Sequence, residues 1–122
     1  MSHHAIISLG SNSADKELKL NQALELLGVT IVKSSGAYDD PIDNTPWRPY
    51  LNIVAEIETN LDHDTLRSRF KAIELKLGRD RRQDVVAIDI DIVIFDGTVM
   101  RPTDYERPYF QTGVKLLRKY IT

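Results

Sequence analysis

Apolar and polar residues alternate with two periods along this chain, and the switches between them divide it into strands and helices. Ala5-Ile6-Ile7-Ser8-Leu9 is a short apolar run closed by Gly10-Ser11-Asn12, which predicts a strand running into a turn. Asn12 or Ser13 is placed to cap a helix, with Asp15 and Glu17 complementing the dipole of its first turn. Leu20, Ala23, Leu24 and Leu27 then recur at helical spacing, and Gly28 ends the helix. The β-branched run from Val29 to Val32 predicts a second strand. Between Asp39 and Pro49, the prolines Pro41, Pro46 and Pro49 exclude a helix or central strand and leave a long loop.

Leu51, Ile53, Ala55 and Ile57 alternate with Asn52, Val54, Glu56 and Glu58, the period of a third strand. Asp62 or Asp64 caps a second helix, whose stripe is Leu66, Phe70, Ile73 and Leu77 and whose stop is Gly78. A fourth strand is expected from Val85 to Phe95. Asp96-Gly97 then signals a turn, with Thr98-Val99-Met100 pairing back. The tail from Thr112 to Thr122 is basic and weakly helical. This order, strand-helix-strand-strand-helix-strand, is that of a ferredoxin-like α+β fold: an antiparallel sheet with helices on one face and the other face partly open. One domain over residues 1–122 is expected, and the pattern alone specifies no function.

Composition narrows the chemistry. Hydrophobic residues make up 42% and charged residues 28%, an ordinary globular mixture. The formal net charge of -2 gives no bulk argument for nucleic acid or an anionic membrane. Cysteine is absent, which excludes disulfides and thiolate chemistry. His3, His4 and His63 lack ligand-like spacing. No apolar run approaches a membrane span and no secretory pattern opens the chain, so a cytoplasmic protein is the expectation.

The candidate chemistry centres on Ile88-Asp89-Ile90-Asp91-Ile92. In a strand, Asp89 and Asp91 share one face, roughly 6.5–7 Å apart, while the isoleucines take the other. Two carboxylates that close repel each other, and a divalent cation removes the cost. Magnesium suits them, because it takes one or two carboxylates and completes its shell with water and phosphate oxygens. An acidic pair on an exposed sheet face is equally compatible with a solvated strand. Arg79, Arg81 and Arg82 lie shortly before the strand and suit bidentate phosphate binding. They are also compatible with a solvated basic loop balanced by Asp80 and Asp84. The P-loop and the kinase Gly-rich loop are both missing. Asn52 is an uncommon residue for a strand and is able to read the edge of a heterocycle, whereas Trp47 and Tyr50 are placed to stack on a flat ligand.

These residues together resemble the 6-hydroxymethyl-7,8-dihydropterin pyrophosphokinase family of folate biosynthesis. The resemblance rests on Ser8-Leu9-Gly10-Ser11-Asn12, Tyr50-Leu51-Asn52 with Glu56-Ile57-Glu58-Thr59, Ile73-Glu74 through Gly78-Arg79, and the acidic strand, in register from about residue 5 to 110. It implies ATP-dependent transfer of pyrophosphate to a reduced pterin, with two Mg²⁺ ions held by Asp89 and Asp91. Arg79 and Arg82 join these aspartates in the implied catalytic set. Lys71, Glu74, Arg79, Arg81, Ile92 and Tyr109 are implied on the ATP side, and Asp40, Pro41, Ile42, Tyr50 and Asn52 on the pterin side. Small-molecule partners only, without nucleic acid or membrane, are implied for a monomer or weak dimer. Two departures stand out. Asp84-Val85-Val86-Ala87 occupies the place of the family's Arg-Trp-Gly-Pro-Arg stretch, and Tyr109 that of its histidine. Two other readings are a divergent homologue that binds without efficient transfer, and a ferredoxin-like module that dimerises through a sheet edge or its tail.

Overall fold

The computed structural model describes residues 2–40, 49–78 and 85–119. Strand β1 (His3–Ser11) leads to helix α1 (Lys16–Leu26), then β2 (Thr30–Ser34), the short β3 (Tyr38–Asp39) and β4 (Leu51–Thr59). Helix α2 (His63–Lys76), β5 (Asp89–Phe95), β6 (Thr98–Val99), α3 (Pro102–Glu106) and α4 (Pro108–Lys119) complete the order. The sheet runs β2-β4-β1-β5-β6, with β3 also paired to β4, and every pairing is antiparallel. This is the expected ferredoxin-like α+β arrangement, with β1 at its centre.

Period-two patterning decides which side of each strand meets the helices. Ala5, Ile7 and Leu9 of β1, Ile53, Ala55 and Ile57 of β4, and Ile90 and Ile92 of β5 are buried in one cluster with Leu20, Ala23, Leu66, Phe70 and Ile73 of α1 and α2. The intervening residues therefore face the other side: Ser8 and Gly10, Asn52 and Val54, Asp89 and Asp91. Asp62 caps α2, its carboxylate accepting from the Thr65 N–H at 2.8 Å. No helix among the described residues is long and apolar enough to cross a membrane.

Several elements differ from the sequence expectation. The tail is a helix from Pro108 to Lys119, and it packs on the face expected to be partly open. Its Phe110 and Leu117 are buried with Val54 and Val93, and Val114 packs beside them. These residues recur at helical spacing, but Gly113 interrupts the run. The glycine is there for close approach, because a Cβ at that position would collide with Val54 and the Tyr38 hydroxyl. The Tyr38 hydroxyl in turn donates to the Tyr109 carbonyl at 2.7 Å, tying β3 to the first turn of α4.

The acidic strand begins at Asp89 rather than Val85. Before it, the chain bends to bond Asn12: the Val86 N–H donates to Asn12 Oδ1 at 2.6 Å, and the Asn12 N–H to the Val86 carbonyl at 3.1 Å. Asn12 is thereby diverted from capping α1. Asp15 takes the N-cap position, without a side-chain cap, and Ser13 Oγ donates to its carboxylate. The second strand starts at Thr30, one residue later than expected. Gly10 lies inside β1 rather than in a turn.

Candidate active site

Strand register brings the functional side chains together. Gly10 of β1 lies opposite Asn52 of β4 on one side and opposite Asp89 of β5 on the other. One step along, Ser8 lies between Val54 and Asp91. The missing side chain at Gly10 thus opens a trough between an amide and a carboxylate. A Cβ there would stand 3.0 Å from Asn52 Oδ1 and 3.6 Å from Tyr50 Cδ1. The trough is part of a cavity of about 250 Å³, whose walls also include Asp40, Arg101, Asp104, Arg107 and Tyr109.

Asn52 is buried, and its Nδ2 has no hydrogen-bond partner among the described residues. Native proteins seldom leave a buried amide donor unpaired, because the loss costs about 1–3 kcal/mol. A ligand acceptor in the trough would satisfy it. Gly10→Ala tests this arrangement. The backbone at Gly10 is not in the left-handed region, so any effect comes from the occupied space. Thermal unfolding of this variant is expected to show a stability loss of about 1 kcal/mol.

A second cavity of about 140 Å³ lies on the α2 side of β5, lined by His63, Arg67, Phe70, Lys71, Ile90, Ile92 and Met100. Asp91 and Arg101 line both cavities. Lys71 Nζ is 3.8 Å from Asp91 Oδ1, and Arg101 Nε is also 3.8 Å from it. Burial, reinforced by the neighbouring Asp89, nevertheless pushes the Asp91 carboxyl up to about 7, against the opposing pull of the two cations. Burial likewise raises the Tyr109 hydroxyl, to about 12, so it stays a neutral donor at physiological pH.

Glu74 lines neither cavity. It is 2% exposed, and its Oε2 accepts from the Ile90 N–H at 2.7 Å and from Lys71 Nζ at 3.1 Å. On that side β5 pairs with β6 at Ile94 and Phe95, at its far end, and Glu74 takes the place of a neighbouring strand at Ile90, the residue between the two aspartates.

Of the expected site residues, Asp40, Tyr50, Asn52, Asp89, Asp91 and Tyr109 share the first cavity, while Lys71 and Ile92 line the second together with Asp91. Pro41, Ile42, Trp47, Arg79, Arg81 and Arg82 lie outside the described residues. Ser8, Gly10, Arg101, Asp104 and Arg107 are functional candidates that sequence reasoning missed. A glycine within an apolar strand run signals close approach. Arg101-Pro102 and Arg107-Pro108 each place a proline at a helix start, which was the available sign of α3 and α4.

The chemistry of this donor set suits magnesium. Among the described residues no group of three or more His, Cys, Asp or Glu side chains converges, so no dedicated metal cage is present. A carboxylate pair beside an open cavity fits an ion that takes much of its shell from water and substrate phosphates.

Comparison with known proteins bears on the same residues. Residues 6–117 match the family model described as 7,8-dihydro-6-hydroxymethylpterin-pyrophosphokinase. The chain is 38% identical to a 2-amino-4-hydroxy-6-hydroxymethyldihydropteridine pyrophosphokinase of Bacillus subtilis, over 79% of this chain and 62% of that one. A protein of the same name from Methylorubrum extorquens is 35% identical, over 76% of this chain and 63% of its own length. Another, from Pseudomonas aeruginosa, is 32% identical over 98% and 78% respectively. The chain thus spans slightly less than two thirds of the first two relatives. The matched region includes both walls of the trough and the acidic strand, and the chain belongs to the 7,8-dihydro-6-hydroxymethylpterin-pyrophosphokinase family.

Proposed function

We propose that this chain transfers the pyrophosphoryl group of ATP to the hydroxymethyl oxygen of 6-hydroxymethyl-7,8-dihydropterin, releasing AMP, as a step of folate biosynthesis. The observation that carries this reading is the row Asn52–Gly10–Asp89: a buried amide whose Nδ2 has no partner among the described residues, and a carboxylate, on either side of a strand position without a side chain. The pterin lies in the trough, its polar edge toward Asn52 and its ring against Tyr50. Asp40 lines the same cavity, and Pro41 and Ile42, next in the chain, are assigned with it to the pterin side. The nucleotide occupies the second cavity, against Lys71 and Ile92, and its phosphates cross the wall made by Asp91 and Arg101.

Asp89 and Asp91 are the residues that would hold Mg²⁺, two ions being expected. A metal bound there would neutralise charge on the phosphates. The pterin hydroxymethyl oxygen forms a bond to the β-phosphorus and gives up its proton to water, the bond from that phosphorus to the α-β bridging oxygen breaks with its electron pair staying on that oxygen, and AMP leaves. Glu74 acts as a positioning residue through the Ile90 backbone. Arg79 and Arg81, which come after α2 in the chain, are assigned to the ATP side, and Arg79 and Arg82 to assisting transfer. Tyr109 contributes a neutral hydroxyl where the family carries a histidine. The protein acts on small molecules in the cytoplasm, as a monomer or weak dimer.

An assay for AMP release with Mg-ATP and the reduced pterin tests the proposal, and no AMP above background at high protein concentration would sink it. Tyr109 favours a second reading, binding without efficient transfer, since a phenol held neutral supplies no positive charge to the phosphates. Under that reading, calorimetry finds both ligands bound while no AMP forms.

A further inference from the structure

We propose that Arg101 is the phosphate grip of this chain: its guanidinium turns from Asp91 to the bridging phosphates of the bound nucleotide, while Asp104 holds it in place. The inference rests on the assignment of the two cavities to pterin and nucleotide. Among the described residues, Asp91 and Arg101 alone line both cavities, so anything that spans them passes Arg101. The Arg101 side chain is 46% exposed, against 11% for Asp91 and 17% for Asp104. It is therefore the accessible member of the group.

The contacts of Arg101 are unequal. Its Nε donates a hydrogen bond to Asp104 Oδ2. The ion pair to Asp91, at 3.8 Å, is beyond hydrogen-bond reach. Asp104 is itself braced on its other oxygen, with Arg107 Nε at 3.8 Å and the Tyr109 hydroxyl at 3.5 Å. Both carboxylates meet Arg101 at Nε, but only Asp104 hydrogen-bonds it, while Asp91 attracts it from a distance. A cation at Asp89 and Asp91 would neutralise that attraction. The planar fork would then be left beside a polyphosphate, which it matches bidentately. Four carboxylates, from Asp40, Asp89, Asp91 and Asp104, face the first cavity against the guanidiniums of Arg101 and Arg107. Anionic phosphate entering this cavity needs such a partner.

The test is calorimetry of a non-hydrolysable ATP analogue with Mg²⁺, and separately of the reduced pterin, on wild type, Arg101→Ala and Arg101→Lys. Arg101→Ala is expected to weaken the analogue by about 10- to 100-fold and the pterin less than about threefold. Arg101→Lys, which keeps the charge but loses the fork, is expected to lie between wild type and Arg101→Ala. Equal analogue affinity in wild type and Arg101→Ala overturns the grip alone. An equal loss for both ligands also overturns it, because that pattern belongs to a merely structural arginine. A wild type that binds no analogue overturns the nucleotide assignment and the grip with it.

Discussion

Asp91→Asn is expected to weaken Mg²⁺-dependent nucleotide binding by about 100-fold or more, and at the same time to stabilise the ligand-free protein above neutral pH. Both effects follow from one carboxylate held beside another in a partly dry wall. The folded protein raises the Asp91 carboxyl from 3.8 to about 7, chiefly by burial and then by the charge of Asp89. A raised carboxyl binds its proton more tightly in the folded state than in the unfolded chain. Its contribution to stability is fully present below about pH 4 and is lost as pH rises through about 7. Wild type without metal should therefore melt at a lower temperature at pH 8 than at pH 5, by a free energy on the order of 2–4 kcal/mol. Mg²⁺ should restore part of the loss. Asp91→Asn should show neither the decline nor the restoration. Melting curves from pH 5 to 8, with and without Mg²⁺, check this. A variant that still binds Mg-nucleotide as wild type does would remove Asp91 from the metal seat.

Glu74→Ala carries the second large effect. The carboxylate is buried, and its loss would strip the Ile90 N–H and the Lys71 ammonium of their shared acceptor. A stability loss of about 2–4 kcal/mol is expected in urea unfolding. Glu74→Gln keeps an oxygen for Ile90 and should lose roughly half as much. Nucleotide affinity should follow the same order, because Ile90 is the link between Asp89 and Asp91. If Glu74→Ala folds with wild-type stability yet loses nucleotide, then Glu74 contacts the nucleotide directly, as the family resemblance implied.

The acidic strand and the alternating third strand were legible because both follow the pleat, in which a side-chain type at every second position means one face. The same rule put the isoleucines of β5 against α1 and α2 and the aspartates on the opposite side. What local pattern could not show was register. Gly10 reads equally well as the start of a turn or as a gap inside a strand, and only its pairing with both Asn52 and Asp89 decides between them. The Val85–Ile88 segment has the composition of a strand, but Asn12 claims the Val86 backbone and bends it away. Arg101, Asp104 and Arg107 stand on or beside a five-residue helix, too short for any period to emerge. Glu74 was noticed for its place in a family pattern, and its burial behind the strand is a tertiary fact.

The central row of the sheet also sets a length. Neighbouring strands stand about 4.8 Å apart, so Asn52 and Asp89, one strand on either side of Gly10, are spaced by about 10 Å of rigid backbone. Under the proposed function, recognition at one end and reaction at the other are separated by that fixed span. A fused two-ring compound anchored at Asn52 carries its side-chain hydroxyl toward the carboxylates. A single ring held by the same amide would stop short of them, and a displacement of even about 1 Å can cost on the order of 100-fold in rate. Under that reading the sheet works as a ruler: a substrate held by its edge at Asn52 reacts only if it is long enough to reach the carboxylates.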